Sequence, residues 1–375
     1  METNYELSIM PYELKSRVRY IDAMRGLAIL LVVFSHVTNA YVKFPITNSS
    51  FAGVYYMMTM FRMPLFFFVS GFFAYKISEK WTFPTVKRVM GKKFRAQIIG
   101  LAVFTFLYGV CIKHWKFKFL WTLNPYWFTI SLFEMFIVYL IVALIVKKTK
   151  SDIPLYVLLT AAVLTPFIFN YLTNGYQLLK WATFIQARNT INYFPYFMFG
   201  IFARRFESFT WKAVDNQYFK AVMIVTFFSL VIFYGCHHTY SLEWNLVMTA
   251  MRISGLMTVL IFFRTYRDWF DNGNSISNAM SLVGSRTLDI YYLHYLFIPN
   301  LSFMKGLLYT GPGNSVVAML FIGLFISTLV VALCLFISAL LRTSQFLAAW
   351  LFGASEPKVR TGKASVSSPQ QLFPE

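Results

Sequence analysis

Two side chains in the segment Tyr20–Tyr41 have the chemistry of group transfer. Arg25 is a fixed cation with a planar fork of donors, and His36 is an imidazole able to take or give a proton near neutral pH. They stand eleven positions apart. At about 100° per residue that is close to three whole turns, so both leave one face of a helix, about 16 Å apart along its axis. Asp22 precedes Arg25 by three positions and can share its face. The segment is otherwise apolar and close to the roughly 20 residues that cross a bilayer. An ionisable group at bilayer depth costs on the order of 3 kcal/mol or more. Arg25, near one end, can snorkel to headgroups. His36 lies deeper and cannot, and a His in that position faces a cavity or a relay. His36 is therefore the candidate proton acceptor, with Arg25 and Asp22 as its catalytic companions.

Other polar residues interrupt the later apolar runs. Arg62 opens Arg62-Met63-Pro64-Leu65-Phe66-Phe67-Phe68-Val69-Ser70-Gly71 near mid-depth and needs a partner. There Pro64 frees a carbonyl one turn earlier, and Ser70-Gly71 allows close helix approach. The plainer reading is a kinked packing helix with one structural ion pair. The stretch Lys87–Arg95, with Arg88, Lys93 and Arg95, is densely basic. It suits anionic lipid headgroups, or the phosphates of a cytoplasmic cosubstrate. Glu134 lies about two turns inside a fourth run, and His294 is a second imidazole in a ninth. Asp289 and His294 lie about 140° apart on a helical wheel and need not face one cavity. Arg286 and Asp289, three apart, read as a local ion pair. Cys111, Cys236 and Cys334 lack metal-ligand spacing and read as small apolar fillers, so no metal site is expected.

The elements that must position these groups follow from composition. Apolar residues make up 58% of the 375-residue chain, aromatics 20% and charged residues 13%. Mean hydropathy is +0.56. A soluble domain carries about 25% charged residues, so the expectation is an all-α, polytopic integral membrane protein with no appended soluble domain. Ten spans are predicted, near 20–41, 52–75, 94–112, 126–146, 154–172, 191–205, 218–236, 245–264, 286–302 and 314–341. They divide the chain into a cytoplasmic segment 1–19, a transmembrane domain 20–341 and a disordered cytoplasmic tail 342–375, most polar from about Gly353. With both termini inside, the inner loops hold most of the Lys and Arg. Lys113, Lys116 and Lys118 are the outer cluster that runs against this. The same bias accounts for the formal net charge of +19 without nucleic acid as a partner.

Tyr20-Ile21-Asp22-Ala23-Met24-Arg25-Gly26-Leu27 with His36 resembles the opening motif of the membrane acyltransferase-3 family, an Arg and a His separated by ten residues. Phe61–Phe73, Trp127–Glu134, Tyr193–Gly200 and Leu288–His294 resemble its later motifs in the same order, so the likeness spans nearly all of residues 17–341. It implies a ten-helix enzyme of the bacterial inner membrane that carries an acyl group, usually acetyl, from cytoplasmic acyl-CoA to a hydroxyl of a surface glycan or lipid-linked sugar. Acetyl-CoA is then the donor substrate, with no bound cofactor. His36 deprotonates the hydroxyl, while Arg25, with Arg62 as a second candidate, holds CoA phosphate or polarises the thioester carbonyl. Arg88, Lys93, Arg95, Glu134 and His294 complete the candidate substrate-binding set. Two departures stand out: no esterase-like domain follows the spans, and Lys92, Lys93 and Arg95 match the family's basic loop loosely. Membrane lipids are expected partners, and homo-oligomerisation is left open. The rival from another class is a flippase or exporter with an intramembrane Arg/Glu/His path; a third reading is a structural partner of a glycan-synthesis complex.

Overall fold

The computed structural model describes residues 19–41, 49–75, 82–111, 125–172, 182, 185–236, 242–304 and 316–353. Outside these lie most of the expected N-terminal segment, the tail beyond Gly353, and the loop lysines 43, 76, 80, 113, 116, 118, 180 and 305 on which part of the expected sidedness rests. Among the described residues every element is helical and no strand occurs. In chain order the helices are α1 (Arg19–Tyr41), α2 (Ser49–Thr59), α3 (Arg62–Ala74), α4 (Phe83–Phe94), α5 (Gly100–Cys111), α6 (Trp127–Thr149), α7 (Ile153–Leu172), α8 (Ala187–Arg205), α9 (Glu207–Asp215), α10 (Gln217–Cys236), α11 (Leu242–Thr265), α12 (Arg267–Asp271), α13 (Ser275–Ser285), α14 (Thr287–Phe297), α15 (Val316–Leu341) and α16 (Gln345–Phe352). A π-helical turn, Arg95–Ile99, joins α4 to α5.

Each of the ten predicted runs is helical, but fewer stand as full spans. Seven helices are long and apolar enough to cross a bilayer, or up to eight if α9 and α10, bent by 72°, form one span. The two runs that fall short have physical reasons. Helix α8 carries Asn189, Thr190 and Asn192 in its first turns. Helix α14 is only 11 residues long, and its polar groups are satisfied by protein rather than by lipid, as shown below.

Helix α1 is the central post. Of its apolar stretch 78% is buried inside the protein, against 11% for α7 at the periphery. It packs on α3, α13, α14 and α15. The outer helices present Val157, Ile168 and Leu172 of α7 and Phe321, Leu333 and Phe336 of α15 on exposed faces, the pattern of helices bathed in hydrocarbon. The second predicted span stands as one span, Gly53–Ala74, with its helix interrupted only at residues 60–61. Helix α2 stops at Thr59 and α3 restarts at Arg62, so Pro64 sits in the first turn of a new helix, where its missing N–H costs little.

Two crossings depend on reciprocal glycines. Gly26 of α1 lies against the Met280 carbonyl of α13, while Gly284 of α13 lies against the Asp22 carbonyl of α1. Gly71 of α3 meets the Phe197 carbonyl, and Gly200 of α8 meets that of Phe68. Without a hydrophobic driving force between helices in lipid, such backbone contact supplies much of the association. A Cβ at Gly200 would strike the Phe68 carbonyl and stand 2.7 Å from Phe72 N. Gly200→Ala should therefore destabilise the protein by about 1–3 kcal/mol. Gly109→Ala, where nothing lies within 4 Å, should not. Thermal unfolding of both variants in detergent checks this; equal melting would show that the α3–α8 crossing can relax.

The boundary expected at residue 342 is corrected. Residues Gln345–Phe352 form α16, capped by Ser344, whose hydroxyl accepts from Leu347 N at 3.4 Å, and closed by Gly353 at φ 64°. Phe346, Leu347, Leu351 and Phe352 give the segment apolar side chains, and it packs on the π turn and α5. The folded body extends to Gly353.

Candidate active site

The site is built by α14, whose polar residues are each tied to a different neighbour. Asp289, 1% exposed, accepts from Arg342 Nε at 2.7 Å and Nη2 at 2.8 Å, and from the Ser338 hydroxyl. Arg286, the local partner expected for it, stands farther off at 3.9 Å. Sequence spacing found the local cation but not the principal one, which arrives from the end of α15. The Tyr291 hydroxyl donates to Pro125 O at 3.3 Å and accepts from Phe128 N at 3.2 Å. Tyr292 stacks on Phe104, with centroids 4.9 Å apart, and its hydroxyl reaches the carbonyls of Ala96 and Gln97 at 3.0 and 3.1 Å. Those two acceptors belong to the π turn, whose shifted ladder alters the local backbone pairing. Tyr126 closes the ring by donating to Tyr292 O at 3.1 Å.

This bracing fixes the last turn of α14 against α1. The Tyr295 hydroxyl lies 2.8 Å from His36 Nε2, and the His294 ring is 5.4 Å from that of His36, centre to centre. Asp289 and His294 face different surroundings, as their angular separation requires. His294 is fully buried, with Nδ1 3.0 Å from Ile290 O. A carbonyl only accepts, so Nδ1 carries the proton and Nε2 keeps a lone pair. That Nε2 has no hydrogen-bond partner among the described residues. A partly exposed imidazole, a phenol bonded to it and a second imidazole with an unsatisfied acceptor thus form one cluster. Such a cluster can accept, hold and return a proton.

Arg25 lies toward the other end of α1, about 16 Å from His36 along the axis. Its Nη1 is 3.4 Å from Asp22 Oδ1 and its guanidinium is 5.8 Å from the Phe73 ring. Asp22 is buried, and its carboxylate serves Arg25 rather than His36. The same end of the bundle holds Arg204 with Glu207 at 2.7 Å and Arg205 with Asp152 at 2.7 Å. The basic stretch does not gather at the imidazoles. Arg88 is exposed, Lys93 Nζ lies over Phe136 at 4.6 Å and Arg95 over Trp350 at 6.0 Å. Glu134 accepts from the Thr190 hydroxyl at 2.6 Å, tying α6 to α8.

Arg62 is placed beside the cluster, within hydrogen-bonding reach of Tyr55 and electrostatic reach of His36 and Tyr295. It borders a cavity of about 380 Å³ that also takes in Asn39, one turn beyond His36, and Arg252. Sequence reasoning missed Arg252, Tyr295 and Arg342. For Arg252 the signal was present: a guanidinium midway along the apolar run of α11 is the same mark that singled out Arg62. For Tyr295, one of 23 tyrosines, no local signal exists.

A family described as "Acyltransferase domain" matches the chain over residues 18–339. No curated protein and no solved structure matches it.

Proposed function

The chain belongs to the membrane acyltransferase-3 family, and from that premise we propose that it transfers an acyl group, most simply acetyl, from acyl-CoA to a hydroxyl of a cell-surface glycan or a lipid-linked sugar. The observation that carries this reading is the His36–Tyr295–His294 cluster, with a cavity lined by Asn39, one turn beyond His36, and by Arg62. In the reaction His36 takes the proton of the acceptor hydroxyl as its oxygen attacks the thioester carbonyl. The new C–O bond forms, the C–S bond breaks, and the proton passes from His36 to the departing thiolate of CoA. The thioester is already activated, so the protein's task is positioning, proton transfer and stabilisation of the oxyanion. Tyr295, bonded to the ring, orients it and can share the proton.

The donor enters from the Arg25 end. The described basic residues favour that end, and positive-inside bias makes it cytoplasmic, in an inner membrane with both termini inside. Arg25 meets the donor there through a planar fork suited to phosphate or carbonyl. Direct transfer fits this arrangement; an acyl-His36 intermediate is not required.

Two measurements test the reading. Purified full-length protein should bind acetyl-CoA, and surface glycan from cells carrying the gene should hold more ester-linked acetyl, by mass spectrometry, than glycan from cells lacking it. Absence of acetyl-CoA binding would reject the enzyme and leave the exporter and the structural partner.

A further inference from the structure

The cavity that reaches Asn39, one turn beyond His36, is charged in one sense only. Arg62 and Arg252 reach it from α3 and α11, and Asn39, Tyr55, Thr59 and Tyr193 supply neutral polar and aromatic groups. No carboxylate is among the described residues that line it. Arg252 lies over the Tyr193 ring at 5.6 Å. Arg62 Nε is buried and has no hydrogen-bond partner among the described residues. Two guanidiniums sharing one partly desolvated space repel each other, and an anion between them relieves that repulsion. Tyrosine rings beside guanidiniums also make a surface on which a sugar can stack.

Position separates this cavity from the donor path. Asn39 lies beyond His36 on α1, whereas Arg25 lies about three turns before it. We propose that the cavity binds an anionic sugar as the acyl acceptor. Arg62 and Arg252 hold its carboxylate or phosphate and so direct a hydroxyl toward His36. This assigns Arg62 to the acceptor rather than to CoA. It rests on the acyl-transfer reading and narrows it to acidic acceptors, a uronic acid residue or a sugar phosphate.

The test uses purified full-length protein in lipid nanodiscs with three probes: glucuronate, glucose 1-phosphate and neutral glucose. One of the two anions should bind at least about tenfold tighter than glucose, the scale of one charge-assisted contact. The anion preferred tells uronic acid from sugar phosphate. Arg252→Gln and Arg62→Gln should each remove most of the preference while acetyl-CoA affinity stays at the wild-type level. Arg252→Lys, which keeps the charge, should retain part of the preference and guards against a folding defect in the Gln variant. Equal binding of all three probes by wild type overturns the proposal, as does a preference that survives in both Gln variants. Loss of acetyl-CoA affinity in folded Arg252→Gln would also overturn it, by giving the cavity to the donor. If wild type prefers an anion but binds no acetyl-CoA, the acyl-transfer reading fails while the anionic site stands, so the two failures are distinguishable.

Discussion

His36→Ala lowers acyl transfer by about 10²–10⁴-fold, the span expected when a positioned general base is removed, and leaves the protein inserted and folded. Both halves follow from where the ring sits. His36 is partly exposed rather than sealed in the core, and alanine is the best helix former, so α1 keeps its backbone and its packing on α13. What is lost is the one imidazole bonded to Tyr295, at 2.8 Å. His294 cannot substitute in place, because its ring is fully buried and its Nδ1 is committed to Ile290 O. The measurement is glycan acetylation at matched protein levels, with added imidazole as a second arm. Free imidazole occupying the space of the deleted ring should restore part of the activity, which a merely structural role for His36 would not allow. Near wild-type acetylation in His36→Ala would remove the proton-transfer role altogether.

What was legible in the sequence is the set of groups that violate their surroundings. Arg25, His36, Arg62 and His294 are ionisable residues inside apolar runs, and the cost of placing them there marks them in any single sequence. The same logic fixed the all-α membrane class, since runs of spanning length recur along the chain. What was not legible is pairing. Tyr295 meets His36 across 259 positions and Tyr126 meets Tyr292 across 166, and no periodicity encodes such partners. Asp289 illustrates the limit most clearly. Its spacing from Arg286 suggested a local pair, and the 3.9 Å contact exists, but the shorter bonds come from Arg342. Of the ten expected spans, seven or eight are long and apolar enough among the described residues. Hydropathy measures suitability for lipid: α8 opens with polar residues that bond to protein, Thr190 to Glu134 and Asn192 to Asn170, while α14 is apolar but only 11 residues long.

The second large effect concerns that misread pair. Asp289→Ala leaves Arg342, about four-fifths buried by side chain, without its carboxylate, and removes the acceptor of the Ser338 hydroxyl. Removing one partner of a buried pair costs about 3–5 kcal/mol; Arg342's partial access to water places this case toward the lower end. The consequence reaches the chemistry, because α14 carries Asp289 at its first turn and His294 and Tyr295 at its last. Freed from α15, the helix can shift along or away from α1, and the bond between Tyr295 and His36 lengthens. Asp289→Ala should thus lower both the melting temperature and the transfer rate, although Asp289 touches no reacting atom. Restoring an uncharged fit should restore both. In the double variant Asp289→Leu with Arg342→Leu the buried Arg342 charge leaves with its carboxylate while Arg286 keeps its access to water, and apolar replacement of a buried ion pair is often neutral or stabilising. Thermal unfolding and acetyl transfer, measured side by side on the two variants, decide the matter. If the double variant melts like wild type yet stays inactive, the carboxylate does more than hold α14 in place. If Asp289→Ala melts and turns over like wild type, the Arg342 contact does not set the position of α14.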